Sequence, residues 1–522
     1  MAGQGAPSES PGESPESPDV GGNALAEFQM ASEAATILKH GWLFMLANVV
    51  NRAAGLLLLP LYTKLLTPSE FGVYALVVVV SDLLAVMLMI GMNNAFTAVY
   101  FEHPDEDGRR RVISTCLLAL VGTAAAMLGL AYPAGMAGSW AMFGSAEHAA
   151  VMAVALGSVA LTTLFELALA YYRARKRSGL CLMVSLAKVV ALLAFNVVFL
   201  WGLNLGVTGI FLANGASFAL LGAVLLVAIL KDSGIAFSFP ILKRVAALGM
   251  PYAPQSLLDI ANNFVSRWLL NILLSTAAVG LFAFGMRLSQ ILFMFLTASF
   301  LQIWSVSRLE AQHGAADHAQ ADFVFHLFVV LLTGAGLGLA LTSPEILWLI
   351  ASHDYTPVLT CMPFLVLAYV LHGVRMNPEV AILKAKRVGV LPWISAASLA
   401  VGTLLAVAFV WQWGLLGAAL ANLGREVFQI LLTEAVRRRL CRDEVPLNAV
   451  RIGWILVPAA MVYAVGWYLF GETVDPAMTA EKVGLTLVFL AVAVFGPGLG
   501  SDGRAMLAKL LSGGVRRAQS AS

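Results

Sequence analysis

Residues 41–75 decide the fold, and they read GWLFMLANVVNRAAGLLLLPLYTKLLTPSEFGVYA. The run is apolar and long enough to cross a membrane, since about 20 residues span a bilayer as a helix. It nevertheless carries Asn48, Asn51 and Arg52 near its middle. A charged side chain at that depth is costly and usually faces neighbouring helices or a water-filled cavity. The stretch therefore predicts a bundle of membrane helices with a polar interior.

The composition of the whole chain agrees with this prediction. The chain has 522 residues, of which 60% are hydrophobic and only 12% are charged. Soluble domains carry roughly 25% charged residues. We therefore expect an all-α integral membrane protein. The four cysteines are far apart in the sequence and show no disulfide framework and no metal-ligand spacing, so we expect no metal site.

Long apolar runs recur along the chain and predict about 14 transmembrane helices. Each run is long enough, or nearly so, for one crossing. The predicted spans are 41–62, 71–93, 113–133, 149–172, 180–202, 207–230, 247–274, 277–303, 323–343, 357–374, 389–411, 415–436, 451–470 and 483–500.

Basic residues in the loops predict the orientation of these spans. Most of the 32 lysines and arginines fall on one side, and only Lys64 and Lys482 fall on the other. Cytoplasmic loops carry such an excess, so both termini are expected to be cytoplasmic. The rule also accounts for basic clusters such as Arg109–Arg111, and we expect no nucleic-acid partner. The predicted location is the bacterial cytoplasmic (inner) membrane, crossed many times.

An internal repeat divides the chain into two similar halves. At a shift of 208 residues, Gly72 matches Gly280 and Gly206 matches Gly414, each with matching neighbours. Six spans therefore resemble the next six in parallel order, which predicts two six-helix lobes of one orientation. Repeats of this kind are a known transporter plan, with the site between the halves near mid-membrane. The last two spans fall outside the repeat and are expected to be accessory helices.

These patterns predict the division of the chain into regions. The expected regions are a disordered cytoplasmic N-terminal tail (1–36), an N-lobe (37–230), a cytoplasmic linker (231–246), a C-lobe (247–440), accessory helices (441–500) and a cytoplasmic C-terminal tail (501–522).

Charged residues inside the predicted spans are the best candidates for function. The basic ones are Arg52, Lys188, Arg267, Arg287 and Arg425, and the acidic ones are Asp82, Glu166, Asp259 and Glu426. Intramembrane charges default to function, although some serve only to pair helices. Arginine forks suit phosphate oxygens particularly well. We therefore predict a polar, cationic cavity between the lobes, and we keep helix pairing as the alternative for each single residue. The Asn51 side chain could hydrogen-bond a sugar or a neighbouring helix, and its type favours the neighbouring helix.

Three segments resemble the polysaccharide-transport flippases of the MOP exporter superfamily, which include the Wzx-type O-antigen flippases. The segments are NRAAGLLLLPLYTKLLTPSEFGVYAL (51–76), GMPYAPQSLLDIANNFVSRW (249–268) and VGLFAFGMRL (279–288). The second departs from the family, in which an acidic residue often precedes the arginine that is Arg267 here. The first also resembles the first helix of the lipid II flippase, but Leu58 stands where that helix has the middle of three arginines. This departure argues against lipid II as the substrate.

The resemblance implies a V-shaped, MATE-like bundle that works by alternating access, not an enzyme. The implied substrate is a polyprenyl-diphosphate-linked oligosaccharide for O-antigen, capsule or exopolysaccharide, and a polymerase and glycosyltransferases are expected as partners besides membrane lipids. Arg52, Arg267 and Arg287 would meet the pyrophosphate, and Lys188, Arg425 and Asn51 would line the cavity. No cofactor is expected. Coupling to a proton or sodium gradient would need a titratable group, for which the candidates are Asp259, Asp82, Glu166 and Glu426.

Two other functions compete with this one. A MATE-type antiporter for drug or metabolite cations should favour acidic cavity residues, whereas the five intramembrane cations here slightly outnumber the acids. A membrane polymerase or glycosyltransferase usually needs a large outward loop with acid–base residues. The longest outward loops, near 134–148, 344–356 and 471–482, are too short for such a domain.

Overall fold

The computed structural model describes residues 55–89, 92–250, 253–302, 304, 315–441 and 447–496. Every regular element within these ranges is helical. Ten of the described helices are long and apolar enough to cross a membrane. The predicted all-α membrane fold is thus confirmed.

The first half of the described chain contains eight helices. They are α1 (Leu59–Leu65), α2 (Pro68–Met89), α3 (Met92–Glu102), α4 (Glu106–Phe143), α5 (Ala149–Ala174), α6 (Ser178–Asn196) with a π-helical turn at Val197–Gly202, α7 (Gly206–Ser233) and α8 (Phe239–Gly249).

The second half contains eight more. They are α9 (Ala253–Leu273), α10 (Thr276–Leu292) with a π-helical turn at Phe293–Thr297, α11 (Ala315–Leu341), α12 (Ser343–Ile350), α13 (Met362–Lys384), α14 (Leu391–Leu440), α15 (Ala449–Phe470) and α16 (Pro476–Phe495). A short 3-10 helix, His353–Thr360, precedes α13 at a bend of 59°.

The ten apolar helices are consistent with fourteen predicted spans. α14 is broken at Gly414, whose φ of 56° lies in a region that glycine adopts without strain, so its two arms match the predicted spans 389–411 and 415–436. α9 is not among the ten, and it carries Asn262, Asn263 and Arg267. The predicted span 41–62 lies mostly outside the described residues, which begin at Gly55.

Asp105 fixes the start of α4. Its carboxylate accepts a hydrogen bond from the backbone N–H of Gly108 at 2.7 Å, which satisfies one of the free donors at the helix start. The same bond lowers the pKa of the Asp105 carboxyl. The helix ends at Gly144, whose φ of 69° is left-handed.

Ion pairs gather several helix ends of the first half at one end of the bundle. Arg175, just after α5, pairs with Glu106 at the start of α4 and with Asp232 near the end of α7. Arg244 of α8 lies 3.0 Å from Glu102 at the end of α3. We call this the basic end.

The two halves meet at the other end of the bundle, where α2 and α10 begin and cross. The Thr63 hydroxyl donates to the carbonyl oxygen of Ile350 at 2.6 Å. The Tyr355 hydroxyl donates to the carbonyl oxygen of Leu66 at 3.2 Å. We call this the crossing end. These contacts join the two halves at the crossing end.

Candidate functional site

Two arginines from neighbouring helices of the second half reach into the space between the halves. Arg287 of α10 donates from Nη2 to the Tyr74 hydroxyl at 3.1 Å, and its guanidinium lies 5.7 Å from the centre of the Tyr74 ring. Arg267 of α9 donates from Nη1 to the carbonyl oxygen of Ala75 at 3.0 Å. Tyr74 and Ala75 both belong to α2, so one helix of the first half orients both guanidinium groups.

These arginines line a cavity of about 300 Å³, which we call the central cavity. Its walls come from α2, α9, α10 and α13, and Asp82 of α2 is its third charged residue. With two arginines and one aspartate, the formal charge of the described part of the lining is +1. Among the side chains that the structure describes, no carboxylate lies within 4.0 Å of either guanidinium. Both arginines therefore keep N–H donors for an anionic ligand.

A second cavity, of about 360 Å³, lies between α9, α10, α13 and α14. We call it the C-half cavity. Amides and a hydroxyl supply much of its polar surface, namely Asn262, Asn263, Ser395, Asn422 and Gln429. Among the side chains that the structure describes, its charged residues are two arginines and two glutamates, so their formal charges cancel. Asn263, Met286 and Tyr369 line both cavities, which are therefore direct neighbours.

Glu426 is the centre of the charges in the C-half cavity. It is 4% exposed, and its Oε1 lies 2.5 Å from Arg425 Nη2. Its Oε2 lies 3.4 Å from Arg375 Nε. Nδ1 of His372 lies 3.6 Å from Oε1 and accepts a hydrogen bond of 2.8 Å from Arg375 Nη2. Arg375 also pairs with Glu379 one turn further along α13. A buried charge needs such partners because its desolvation is costly.

The predicted site residues fall into separate groups. Arg267, Arg287 and Asp82 come together in the central cavity, whereas Arg425 and Glu426 lie in the C-half cavity. Arg425 bonds to Glu426 although side chains of adjacent helix residues point in different directions. The long arginine side chain turns back to reach its neighbour.

Lys188 and Glu166 lie within the first half of the chain. Lys188 Nζ is 3.9 Å from Glu166 Oε1 and lies over the rings of Phe165 and Phe218, at 5.5 and 5.1 Å from their centres. Neither residue lines the central or the C-half cavity.

Three of the predicted site residues are not among the described side chains. Arg52 and Asn51 lie outside the described residues, and Asp259 belongs to α9, of which only the backbone is described at that position. The described chain begins at Gly55, where a Cβ atom would lie 3.7 Å from Arg287 Nη1. The chain that leads into α1 therefore reaches the edge of the central cavity.

His372 and Arg375 were missed by sequence reasoning. The predicted span ended at residue 374, which put Arg375 in a basic loop, but α13 continues to Lys384 and Arg375 is buried. The error arose because His372, Arg375 and Glu379 lower the local hydropathy, and a proline such as Pro378 usually breaks a helix. The structure instead pairs these charges and keeps the proline inside the helix. His372, Arg375 and Glu379 are three and four residues apart, a spacing that places them on one face of a helix and could have indicated that the helix continues.

No group of three or more His, Cys, Asp and Glu residues suited to a metal ion occurs among the residues that the structure describes. The arrangement offers paired guanidinium groups for an anion and neutral amides for hydroxyl groups.

Comparison with solved structures supports the fold. The lipid II flippase MurJ in an inward closed conformation superposes with a TM-score of 0.68 at 13% identity, over 87% of this chain and 98% of that chain. An inward-facing MATE-family multidrug resistance transporter of the MOP superfamily superposes with a TM-score of 0.60 at 15% identity, over 77% and 96% of the two chains. A MOP superfamily transporter from Pyrococcus furiosus, described as having reversed polarity in its binding pocket, gives 0.55 at 14% identity, over 78% and 96%.

These similar structures are a flippase and two transporters. Their identities are low, so they carry the fold alone. No curated protein matches the chain by sequence.

The sequence itself matches one family model. Residues 37–304, slightly more than half of the chain, match the family described as polysaccharide biosynthesis protein. The match includes α2, α9 and α10, the helices that hold Asp82, Arg267 and Arg287. This chain, a multi-pass membrane protein of the MOP fold, belongs to the polysaccharide biosynthesis protein family.

Proposed function

We propose that this protein is a flippase that moves a polyprenyl-diphosphate-linked oligosaccharide from the cytoplasmic to the outer leaflet of the bacterial cytoplasmic membrane. The product would serve the synthesis of a surface polysaccharide such as O-antigen, capsule or exopolysaccharide. The family supports a role in polysaccharide synthesis, and the fold supports a membrane carrier. No covalent bond is made or broken in this process.

One observation carries the proposal, namely the pair Arg267 and Arg287 in the central cavity. Two forked guanidinium groups, each tethered to α2 and neither paired with a described carboxylate, suit a diphosphate that accepts several hydrogen bonds. The net positive lining compensates the charge that the diphosphate brings into a region of low dielectric constant. Arg52, which precedes α1 by seven residues in the sequence, is proposed as a third member of this group.

The neighbouring C-half cavity supports an oligosaccharide as the attached group. Its amides and hydroxyl can both donate to and accept from sugar hydroxyls. Its glutamates are compensated by Arg375 and Arg425, which argues against a cavity built for cationic drugs. The polyprenyl chain would remain in the lipid throughout.

We place the basic end in the cytoplasm, because cytoplasmic loops are enriched in lysine and arginine. The crossing end would then face outward, and the two cavities would be reached from the cytoplasm. Alternating access would require α2 and α10 to separate at the crossing end. The proposed lobes are residues 37–230 and 247–440, with 441–500 as accessory helices.

The test compares single alanine variants in the native host. Arg267→Ala and Arg287→Ala should each abolish display of the surface glycan and leave its lipid-linked precursor in the cytoplasmic leaflet. Arg244→Ala is the matched control, because Arg244 forms an exposed ion pair at the basic end. It should export normally at the same protein level.

Normal glycan display in both Arg267→Ala and Arg287→Ala would reject the binding role of the central cavity. Uptake or efflux of a cationic dye that depends on Glu426 would instead favour the antiporter function.

A further inference from the structure

The segment between α7 and α8 exposes large apolar side chains at every second position. After α7 ends at Ser233, Ile235, Phe237 and Phe239 are 79%, 56% and 67% exposed. Single exposed apolar residues are ordinary, but three large ones in close succession mark a surface that binds a membrane or another protein. We call these three residues the apolar edge.

The residues between them are fixed to α4 by hydrogen bonds. The Ser114 hydroxyl accepts from the backbone N–H of Ala236 at 2.8 Å and donates to the carbonyl oxygen of Gly234 at 3.1 Å. The Thr115 hydroxyl accepts from the backbone N–H of Ser238 at 3.1 Å. Both hydroxyl-bearing residues are fully buried. The apolar edge is therefore held in place with its side chains turned away from the bundle.

The position of these bonds along α4 sets the depth of the apolar edge. α4 is one of the helices suited to cross the membrane, and it begins at the basic end. Its exposed Arg110 precedes Ser114 by four residues, or about 6 Å along the helix. A charged arginine head stays at the polar surface of a membrane. The apolar edge therefore lies just below that level, where headgroups give way to acyl chains.

Two exposed lysines flank the apolar edge, Lys231 near the end of α7 and Lys243 on α8. Among the side chains that the structure describes, no carboxylate lies within 4.0 Å of either ammonium group. Asp232, which follows Lys231, is paired with Arg175 instead. Apolar side chains beside uncompensated positive charges suit a surface of acidic phospholipids.

We propose that the segment from Lys231 to Lys243 is a membrane anchor that binds acidic phospholipids in the leaflet at the basic end. The apolar edge inserts between the lipids, and the two lysines contact the phosphate groups. The anchor holds the connection between the two halves at the membrane surface. It is separate from the central and C-half cavities, whose linings include none of its residues.

The experiment places a fluorescent nitrobenzoxadiazole label on the full-length Phe237→Cys variant in nanodiscs of phosphatidylcholine and phosphatidylglycerol. The four native cysteines are buried, so labelling should be specific. Nitroxide groups near the lipid headgroups should quench the label more than nitroxides near the acyl chain ends. Aqueous dithionite should reduce it slowly. No cargo is present, so the result does not depend on the proposed function.

Asp107→Cys is the matched control for position. Asp107 is exposed at the start of α4, seven residues before Ser114 and thus about 10 Å further from the bilayer. Its label should react rapidly with dithionite and should be quenched only weakly by nitroxide lipids.

The preference for acidic lipid is measured by moving the nitroxide from one lipid to the other at constant composition. A basic residue near the surface favours acidic lipid roughly fivefold. Nitroxide phosphatidylglycerol should therefore quench the Phe237→Cys label about twofold or more beyond nitroxide phosphatidylcholine. Lys231→Gln combined with Lys243→Gln should remove this excess.

Three results would overturn the anchor. Rapid reduction by dithionite without quenching by lipids would place the apolar edge in water. Protection from both reagents would show that protein covers it. Equal quenching by the two nitroxide lipids, or an excess that persists without the two lysines, would reject the recognition of acidic lipid.

Discussion

Gly72 and Gly280 each pack against the helix of the other in a reciprocal contact at the crossing end. A Cβ atom on Gly72 would lie 1.9 Å from the carbonyl oxygen of Thr276, and one on Gly280 would lie 1.9 Å from that of Pro68. Thr276 follows Pro68 by the same number of residues as Gly280 follows Gly72. A two-fold axis between the halves produces such a self-complementary contact.

Gly72→Ala and Gly280→Ala should each weaken the closure of the crossing end. A methyl group has no room against either carbonyl, and overpacking costs about 1–3 kcal/mol, so the ratio of closed to open molecules should fall roughly tenfold. The measurement is the rate at which a membrane-impermeant maleimide labels the reporter Ala283→Cys. The four native cysteines are buried, which keeps the background low.

Gly129→Ala is the control for this pair, because a Cβ at Gly129 would meet nothing within 4 Å. It should label as slowly as the reporter alone. Equal labelling rates in all variants would show that the contact does not control access to the crossing end.

Asp82→Asn should strengthen the binding of a diphosphate in the central cavity. The change raises the formal charge of the lining from +1 to +2. At a separation of roughly 8 Å and an effective dielectric constant near 20, one charge contributes about 2 kcal/mol, so binding should tighten roughly tenfold or more at low salt. Titration with farnesyl diphosphate measures this effect.

Raising the ionic strength should reduce the difference between Asp82→Asn and the unmodified protein, because mobile ions screen the added charge. Asp107→Asn, an exposed acid at the start of α4, is the control and should leave affinity unchanged. Weaker binding in Asp82→Asn would mean that Asp82 holds the arginines in place instead of opposing the ligand.

Tyr74→Phe should loosen Arg287 without removing its charge. The hydroxyl of Tyr74 accepts from Arg287 Nη2 at 3.1 Å, and a hydrogen bond to a charged group contributes about 1.5–3 kcal/mol. Farnesyl diphosphate should therefore bind about tenfold more weakly if orientation matters, with the salt dependence of binding preserved. Tyr132→Phe alters an exposed tyrosine and should bind normally.

Lys482→Met should destabilise the packing of α15 and α16. Lys482 is 1% exposed and lies 2.6 Å from Glu345 of α12. The sequence had placed both residues in outward loops, where they would be exposed to solvent. Removing one partner of a buried ion pair costs about 3–5 kcal/mol, because the other charge is left uncompensated. The thermal unfolding midpoint in nanodiscs should fall accordingly.

The double variant Glu345→Gln, Lys482→Met should recover most of the lost stability, since neither charge remains buried. A double variant as unstable as the single one would mean that Lys482 acts through its packing alone.

The sequence predicted the helices well wherever hydropathy was uniform, and less well where charges lie inside the bundle. The two arms of α14 were separated correctly at Gly414, which the repeat pairs with Gly206, a glycine that also has a positive φ of 55°. The span predicted for α13 ended too early, at residue 374. Hydropathy treats Arg375 as an exposed residue, because it takes no account of the ion pair with Glu426.

The composition of the candidate site was only partly predictable. Arg267 and Arg287 were identified because a charge at bilayer depth is conspicuous in a sequence. Their separation from Arg425 into two cavities depends on which helix faces meet, and periodicity does not give that information. His372 was not singled out, since its 2.8 Å contact with Arg375 follows from packing rather than from any motif.

The wall shared by the two cavities has a consequence for the order of events during transport. Asn263, Met286 and Tyr369 present one side to each compartment, so a ligand that displaces any of them on one side reshapes the other. Two occupants, or two parts of one long occupant, therefore cannot bind with independent free energies. Binding of the headgroup would therefore change the free energy with which the sugar chain binds, and this coupling would pass through the three shared side chains without a helix movement.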